Sequence, residues 1–295
     1  MSESRERIDR SSDLARHGAR AHLRRCSGVA ADTSWTFDPG AVLLVGLAVA
    51  LYVPRWRRVR RDDGPRGAPA IRLVAFVAGL LVLVAALMSP IDRLGEQAFV
   101  MHMAQHMLLL DVAPVLLIAA LTKVILRPAT RRLTRLEGAV GPLAHPFFAV
   151  FLYVGVMWAW HVPALYDAAL EHPAVHALEH TTFMSAGLLY WWHLLSPIRT
   201  RLRLGGMGPI VYMLSTKLLV GLLGIGLTFA PDAIYAFYEN QPGIWGLSAS
   251  DDQALAGALM ALEQSIVMGV ALVWLFVRML SESEADEQRT ERYAA

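Results

Sequence analysis

The stretch AFVMHMAQHMLLLDVAPVLLIAAL, residues 98–121, decides the fold class. Its only charged residue is Asp111, and its only histidines are His102 and His106. A helix needs about 20 mostly apolar residues to cross about 30 Å of hydrocarbon at about 1.5 Å per residue. Working outward, further runs of this kind cover Phe37–Trp56, Ile71–Ser89, Pro146–Val162, Ala174–Leu195, Pro209–Ala230 and Gln253–Leu280. With Ala98–Leu121 they make seven. A barrel would show short alternating strands instead. The expectation is an all-α integral membrane protein, a seven-transmembrane helix bundle. The 295-residue chain agrees, being 55% hydrophobic and 18% charged, against about 25% charged in soluble domains. Cys26 is the only cysteine, which excludes a disulfide scaffold and any thiolate-pair metal site. No phosphate-binding loop or nucleophile elbow occurs, and no nucleic-acid partner is expected.

Prolines mark helix ends at Pro90, Pro128, Pro163, Pro197 and Pro231, where the helix cannot continue. Pro114 lies inside its span and predicts a kink. Basic residues fill alternate loops. The first loop holds Arg55, Arg57, Arg58, Arg60, Arg61, Arg66 and Arg72; the third holds Lys123, Arg127, Arg131, Arg132 and Arg135; the fifth holds Arg199, Arg201 and Arg203. The second holds Arg93 alone, and the fourth and sixth hold none. Basic loops stay cytoplasmic, so the N-terminus is expected outside and the C-terminus in the cytoplasm of a plasma-membrane protein. Residues 1–34 form an Arg-rich tail expected to be disordered. Residues 35–281 form the membrane domain and 282–295 a charged cytoplasmic tail. The first tail carries seven arginines yet is exported by this topology. Either it is translocated despite its charge, or initiation lies nearer Val29.

Ionisable groups in spans are costly and mark function. His102, His106, His161, His172, His176 and His180 all fall at the expected outer face. His102 and His106, like His176 and His180, are i, i+4 pairs on one helical stripe. Imidazole is the commonest metal ligand, and such pairs are a standard two-ligand unit. His161 could complete a shared site. Met103, Met157 and Met260 stand nearby, and thioether with imidazole suits copper as Cu(I), with zinc as the other candidate. Glu179 is placed to orient a histidine from behind. His172, Asp252, Gln253 and Glu263 are auxiliary candidates on the same side. Packing explains most single methionines; two pairs on one face are harder to explain that way. His176-x-x-Glu179-His180 also matches an inverted zinc-protease signature, which keeps a metal-dependent hydrolase as a third reading. A metal or proton transporter is the second. It needs polar residues further in, and Asp111 and Lys217 are the candidates. Their depths coincide, so a buried ion pair between them is expected. On an ideal helix Asp111 stands about 180° from His102, so it is not expected to belong to the histidine cluster. Trp35, Trp56, Trp158, Trp160, Trp191, Trp192 and Trp245 suit interfacial belts. Gly221, Gly224 and Gly226 suit close helix packing.

Several motifs occur together: His102-Met-Ala-Gln-His-Met-Leu-Leu109 with Ala113-Pro114, Trp160-His-Val-Pro-Ala-Leu-Tyr-Asp-Ala-Ala-Leu170, His176-x-x-Glu179-His180, Gly187-Leu-Leu-Tyr-Trp-Trp192, and Asp252-Gln253-x-x-Ala256-Gly257-x-x-Met260. Trp35-x-Phe37-Asp38-Pro39, Leu51-Tyr52 and Ser89-Pro90-Ile91-Asp92 accompany them. Jointly they resemble the multi-span CtaG family of cytochrome c oxidase assembly factors, over about Trp35 to Leu280. The resemblance implies a non-enzymatic role in oxidase maturation, delivering or guarding copper, with oxidase subunits and the lipid bilayer as partners. Asp111 departs from the apolar residue expected after the first motif.

Overall fold

The computed structural model describes residues 30–198 and 204–294, which are helix and loop without a strand. Most of the N-terminal tail, and Arg199, Arg201 and Arg203, lie outside the described residues. The principal helices are α1 (Pro39–Asp62), α2 (Ala70–Met88), α3 (Phe99–Ala119), α4 (Lys123–Val140), α5 (Pro146–Trp160), α6 (Pro163–Glu171), α7 (Pro173–Leu195), α8 (Gly208–Phe229) and α9 (Ala249–Ala294). Each apolar run falls on one of them. By length and hydropathy, α1, Gly64–Met88, α3 and α8 can each cross a membrane. The pair Lys123–Ala144 and Pro146–Trp160, bent by 64°, makes a fifth candidate if it counts as one span. The charged residues of the last predicted tail continue helix α9 as far as Ala294.

Helix α3 is central. Of its apolar stretch 61% is buried, against 11% for α1 at the edge of the bundle. It packs on α2, α7 and α9, while α8 pairs with α9 and α5. Small residues set the α8–α9 crossing: a Cβ on Gly257 would lie 2.6 Å from the Gly224 carbonyl oxygen. Gly221 and Gly226 face open space, so the expected glycine contact narrows to Gly224.

Local chemistry explains where the helices begin. The Asp38 carboxylate accepts from the Ala41 N–H at 2.8 Å, with Pro39 in the first turn of α1. Ala98, before α3, has no side chain that could cap it. Asp252 of α9 serves instead, accepting from Phe99 N at 2.6 Å and Val100 N at 3.0 Å. That bond set ties the first turns of α3 and α9 together at one end of the bundle.

One proline departs from expectation and another sits beside a helix irregularity. Pro128 does not follow a helix end but lies within α4. Its missing N–H would have bonded the Val124 carbonyl. Arg55 supplies the donor instead, reaching Val124 O at 2.7 Å and Ile125 O at 3.0 Å. Pro114 is preceded by a π turn, Leu108–Val112. The wider turn accommodates a proline ring that would clash with the Leu110 carbonyl in a regular helix. Gly187 of α7 leaves room for that carbonyl, since a Cβ there would press on Leu110 O and C and approach Pro114 Cγ to 3.0 Å. The turn adds about one residue, or about 100° of rotation. Asp111 is thereby turned relative to a regular helix, and it and His102 both meet α7, at Trp191 and Glu179 respectively, while Asp111 stays outside the histidine group as expected.

Candidate metal centre

His102 and His106 rise from α3 one turn apart, with ring centroids at 4.2 Å. His176 and His180 do the same on α7, at 4.1 Å. The pairs face each other: His102–His176 is 5.3 Å and His106–His180 is 5.7 Å between centroids. Gln105, between the first two histidines, fixes the rotation of α3. Its amide donates to Ala86 O and to Asp92 Oδ1, both at 2.8 Å. Thr36 donates to the other Asp92 oxygen at 2.7 Å. These bonds give structural roles to the Asp92 motif and the segment around Trp35.

The Glu179 carboxylate lies between the histidines of α3. Its Oε2 is 3.5 Å from His102 Nε2, and its Oε1 is 3.5 Å from His106 Nε2. Charge-assisted hydrogen bonds run to about 2.7–2.9 Å. Two ligands at about 2.0–2.1 Å from a tetrahedral metal are about 3.4 Å apart. The spacing thus matches donors around a common centre better than donors bonded to one another. One donor atom each from His102, His176, Glu179 and His180 lies within 4.8 Å of all the others. Both ring nitrogens of His102 and His106, Nε2 of His176 and His180, and both Glu179 oxygens are buried without a hydrogen-bond partner. Buried polar atoms are normally satisfied, so this concentration fits a bound ion. His176 and His180 are partly exposed, whereas His102, His106 and Glu179 are buried. An ion would therefore enter from the α7 side.

Aromatic rings close the centre off. Phe183 packs on His106 at 4.3 Å and Tyr166 on His102 at 5.2 Å. Tyr235 and Tyr238 stack around Tyr166 and Phe99. Their hydroxyls donate to the carbonyls of His161 at 3.2 Å and Gly95 at 2.6 Å. Sequence reading did not single out these tyrosines for the site, although Tyr166 lies in a quoted motif.

Other candidates stand further off. His161 is not among the four grouped donors; Nδ1 contacts Met157 O at 2.7 Å and Nε2 contacts Met103 Sδ at 3.3 Å. Of the three methionines of that expectation, Met103 brings its thioether to His161, whereas Met157 meets His161 through its carbonyl oxygen. Met260 packs against Gly224 at the α8–α9 crossing. His172 is exposed at the start of α7. Asp252 caps α3, and Gln253 pins the loop before α9 by accepting from Ile234 N at 2.8 Å. Glu263 belongs to a separate polar group deeper in the bundle.

The expected Asp111–Lys217 ion pair is not formed. Equal depth does not guarantee facing sides, and Asp111 already has partners. It accepts from Tyr153 Oη at 2.7 and 2.9 Å and from Trp191 Nε1 at 2.8 Å. Lys217 is partly exposed on α8 and makes no ion pair among the described residues. Trp191 correspondingly leaves the expected interfacial belt: it is 1% exposed.

A membrane-type helical bundle with a buried histidine–carboxylate centre is the class that fold and site define. Residues 50–282 match the family model described as cytochrome c oxidase caa3 assembly factor (Caa3_CtaG). The chain belongs to that family. It is also 27% identical over 285 residues to the uncharacterized protein ML1998 of Mycobacterium leprae, and 26% identical over 282 residues to the uncharacterized protein Mb0105 of Mycobacterium bovis. Each alignment covers 89% of this chain and 42% of the relative, so the chain spans less than half the length of these relatives. No solved structure matches it.

Proposed function

We propose that this protein serves cytochrome c oxidase assembly by binding copper at the histidine–carboxylate centre and delivering or guarding it at the outer face of the plasma membrane. The observation that carries this reading is the group of buried, partnerless nitrogen and oxygen atoms on His102, His106, His176, Glu179 and His180. Copper is the cargo, because terminal oxidases of the family's kind contain copper centres. The donors are nitrogen and oxygen, with the thioethers outside the group, which favours the divalent ion over Cu(I). Zinc is the competing occupant. The role is non-enzymatic. A hydrolase would need Glu179 free to activate water, whereas its carboxylate is lodged between two imidazoles. The topology proposed with it is seven spans with the N-terminus outside, which puts the centre on the outer side. Oxidase subunits and lipid are the partners.

The test is metal analysis of purified protein together with oxidase activity in strains carrying variants. Wild type should hold copper, and the double variant His176→Ala, His180→Ala should lose both copper and oxidase assembly. Normal metal content and oxidase activity in that variant would overturn the copper reading. Reporters fused after residue 295 and near Gly243 should report cytoplasm and exterior respectively; the reverse would move the centre to the wrong side.

A further inference from the structure

A second polar group lies deeper in the bundle. Asp111 is 12 residues along α3 from Phe99, or about 18 Å, and Glu263 is 14 residues along α9 from Ala249, or about 21 Å. Asp252 ties the two helix starts together, so the two carboxyl groups share a depth. Hydrogen bonds connect them. Tyr153 of α5 donates to Asp111 at 2.7 Å; the Gln264 amide donates to Tyr153 Oη at 3.4 Å and to Glu263 Oε2 at 3.1 Å. Asp111 and Tyr153 are 0% exposed and Gln264 is 3% exposed. At the far end of this chain, Glu263 Oε1 and Gln264 Oε1 are buried without a hydrogen-bond partner.

Among the described residues no lysine, arginine or histidine is bonded to either carboxyl group, and His193 of α7 packs on Tyr212 at 6.3 Å between ring centroids. Helix α7 presents Trp191 and Tyr190, and α8 presents Tyr212 and Thr216. Lys217, next to Thr216, makes no ion pair among the described residues. On α2 the one basic group, Arg72, is bonded to the Ala119 carbonyl. Two carboxyl groups linked only through neutral side chains cannot both stay ionised in a membrane interior without a counter-cation. The open ligand atoms are carboxylate and amide oxygens, which suit a hard, small cation. Asp111 sits on the π turn, an irregularity that frequently marks functional positions.

We propose that Asp111, Tyr153, Gln264 and Glu263 form a second site that takes up one small monovalent cation, a proton or a sodium ion. The site is separate from the histidine centre, and it stands whether or not that centre binds copper.

The experiment uses the full chain in detergent micelles, in sodium-free choline buffer. An apolar carbodiimide adds whole across a protonated buried carboxyl group, and peptide mass spectrometry locates the adduct. Infrared difference spectra follow the carboxylic acid carbonyl stretch over the same pH series. Glu263 or Asp111 should be labelled, labelling should fall as pH rises, and Glu263→Gln and Asp111→Asn should each remove their part of the infrared change. Added sodium that suppresses labelling at constant pH identifies sodium as the ligand; indifference to sodium identifies the proton. Thermal unfolding confirms that the two near-isosteric variants are folded. Infrared spectra that do not change with pH or sodium, or change identically in wild type and both variants, would overturn the proposal even where the reagent fails to reach the site.

Discussion

Replacing Glu179 by glutamine removes one negative charge and changes almost no volume. Glu179 is fully buried, and its oxygens lie 3.5 Å from Nε2 of both His102 and His106. If the carboxylate only oriented a histidine, affinity would fall about 10–100-fold. As a direct anionic ligand in a buried site its loss is a broken charge pair, about 3–5 kcal/mol. At about 1.4 kcal/mol per decade that is roughly two to four decades in dissociation constant. The assay is competition for Cu(II) between purified protein and a chelator of graded strength, with unfolding followed in parallel to show that the apo variant is intact. Glu179→Gln should sit in the larger range, and the metal-free variant should unfold no earlier than metal-free wild type. A variant weakened by less than about 100-fold would refute the placement of Glu179 as a ligand.

Lys217→Ala should change stability by less than about 0.5 kcal/mol, since no ion pair is lost. Asp111→Ala should cost about 1–3 kcal/mol for each stranded donor, Tyr153 and Trp191; equal effects in denaturant titrations would contradict this. Gly187→Ala forces a methyl group onto the Leu110 carbonyl and should destabilise by about 1–3 kcal/mol, read as a lower unfolding midpoint; an unchanged midpoint would show that the α3–α7 contact is looser than described. Bound metal should be retained at neutral pH and released on acidification, because imidazole must lose its proton to coordinate and low pH returns it. Equilibrium dialysis showing tighter binding in acid would refute histidine ligation.

The helices and the two histidine pairs were legible because they repeat at regular spacing: long apolar runs, and imidazoles four residues apart. Partners across helices were less legible. Tyr153 and Trp191 look in sequence like ordinary aromatic residues of a span, and nothing local announces that both aim at Asp111. Lys217 looked like the partner because depth can be counted along a helix, whereas facing direction depends on packing. The π turn compounded this, since counting by 100° per residue fails beyond Leu108. Glu179 was visible as a companion of the histidines, but whether it stands behind them or among them is decided by α3 and not by its own helix. Asp252 and Gln253 were flagged for their polarity alone. Their roles, capping α3 and pinning a loop, needed the position of chain segments more than 150 and about 20 residues away.

The π turn also constrains how this chain can vary in length. His102, His106 and the deeper carboxyl group are carried by the same helix, the two histidines before the turn Leu108–Val112 and Asp111 within it. Removing one residue there would restore a regular helix, turn everything beyond it by about 100° and draw it about 1.5 Å along the axis. Asp111 would then leave Tyr153 and Trp191, although every side chain of both sites was still present in the sequence. In comparing relatives, the residue count between His106 and Asp111 is therefore as informative as the identity of either one. A chain that keeps both residues but changes that count should be expected to have lost one of the two sites, or to have moved α7 to follow.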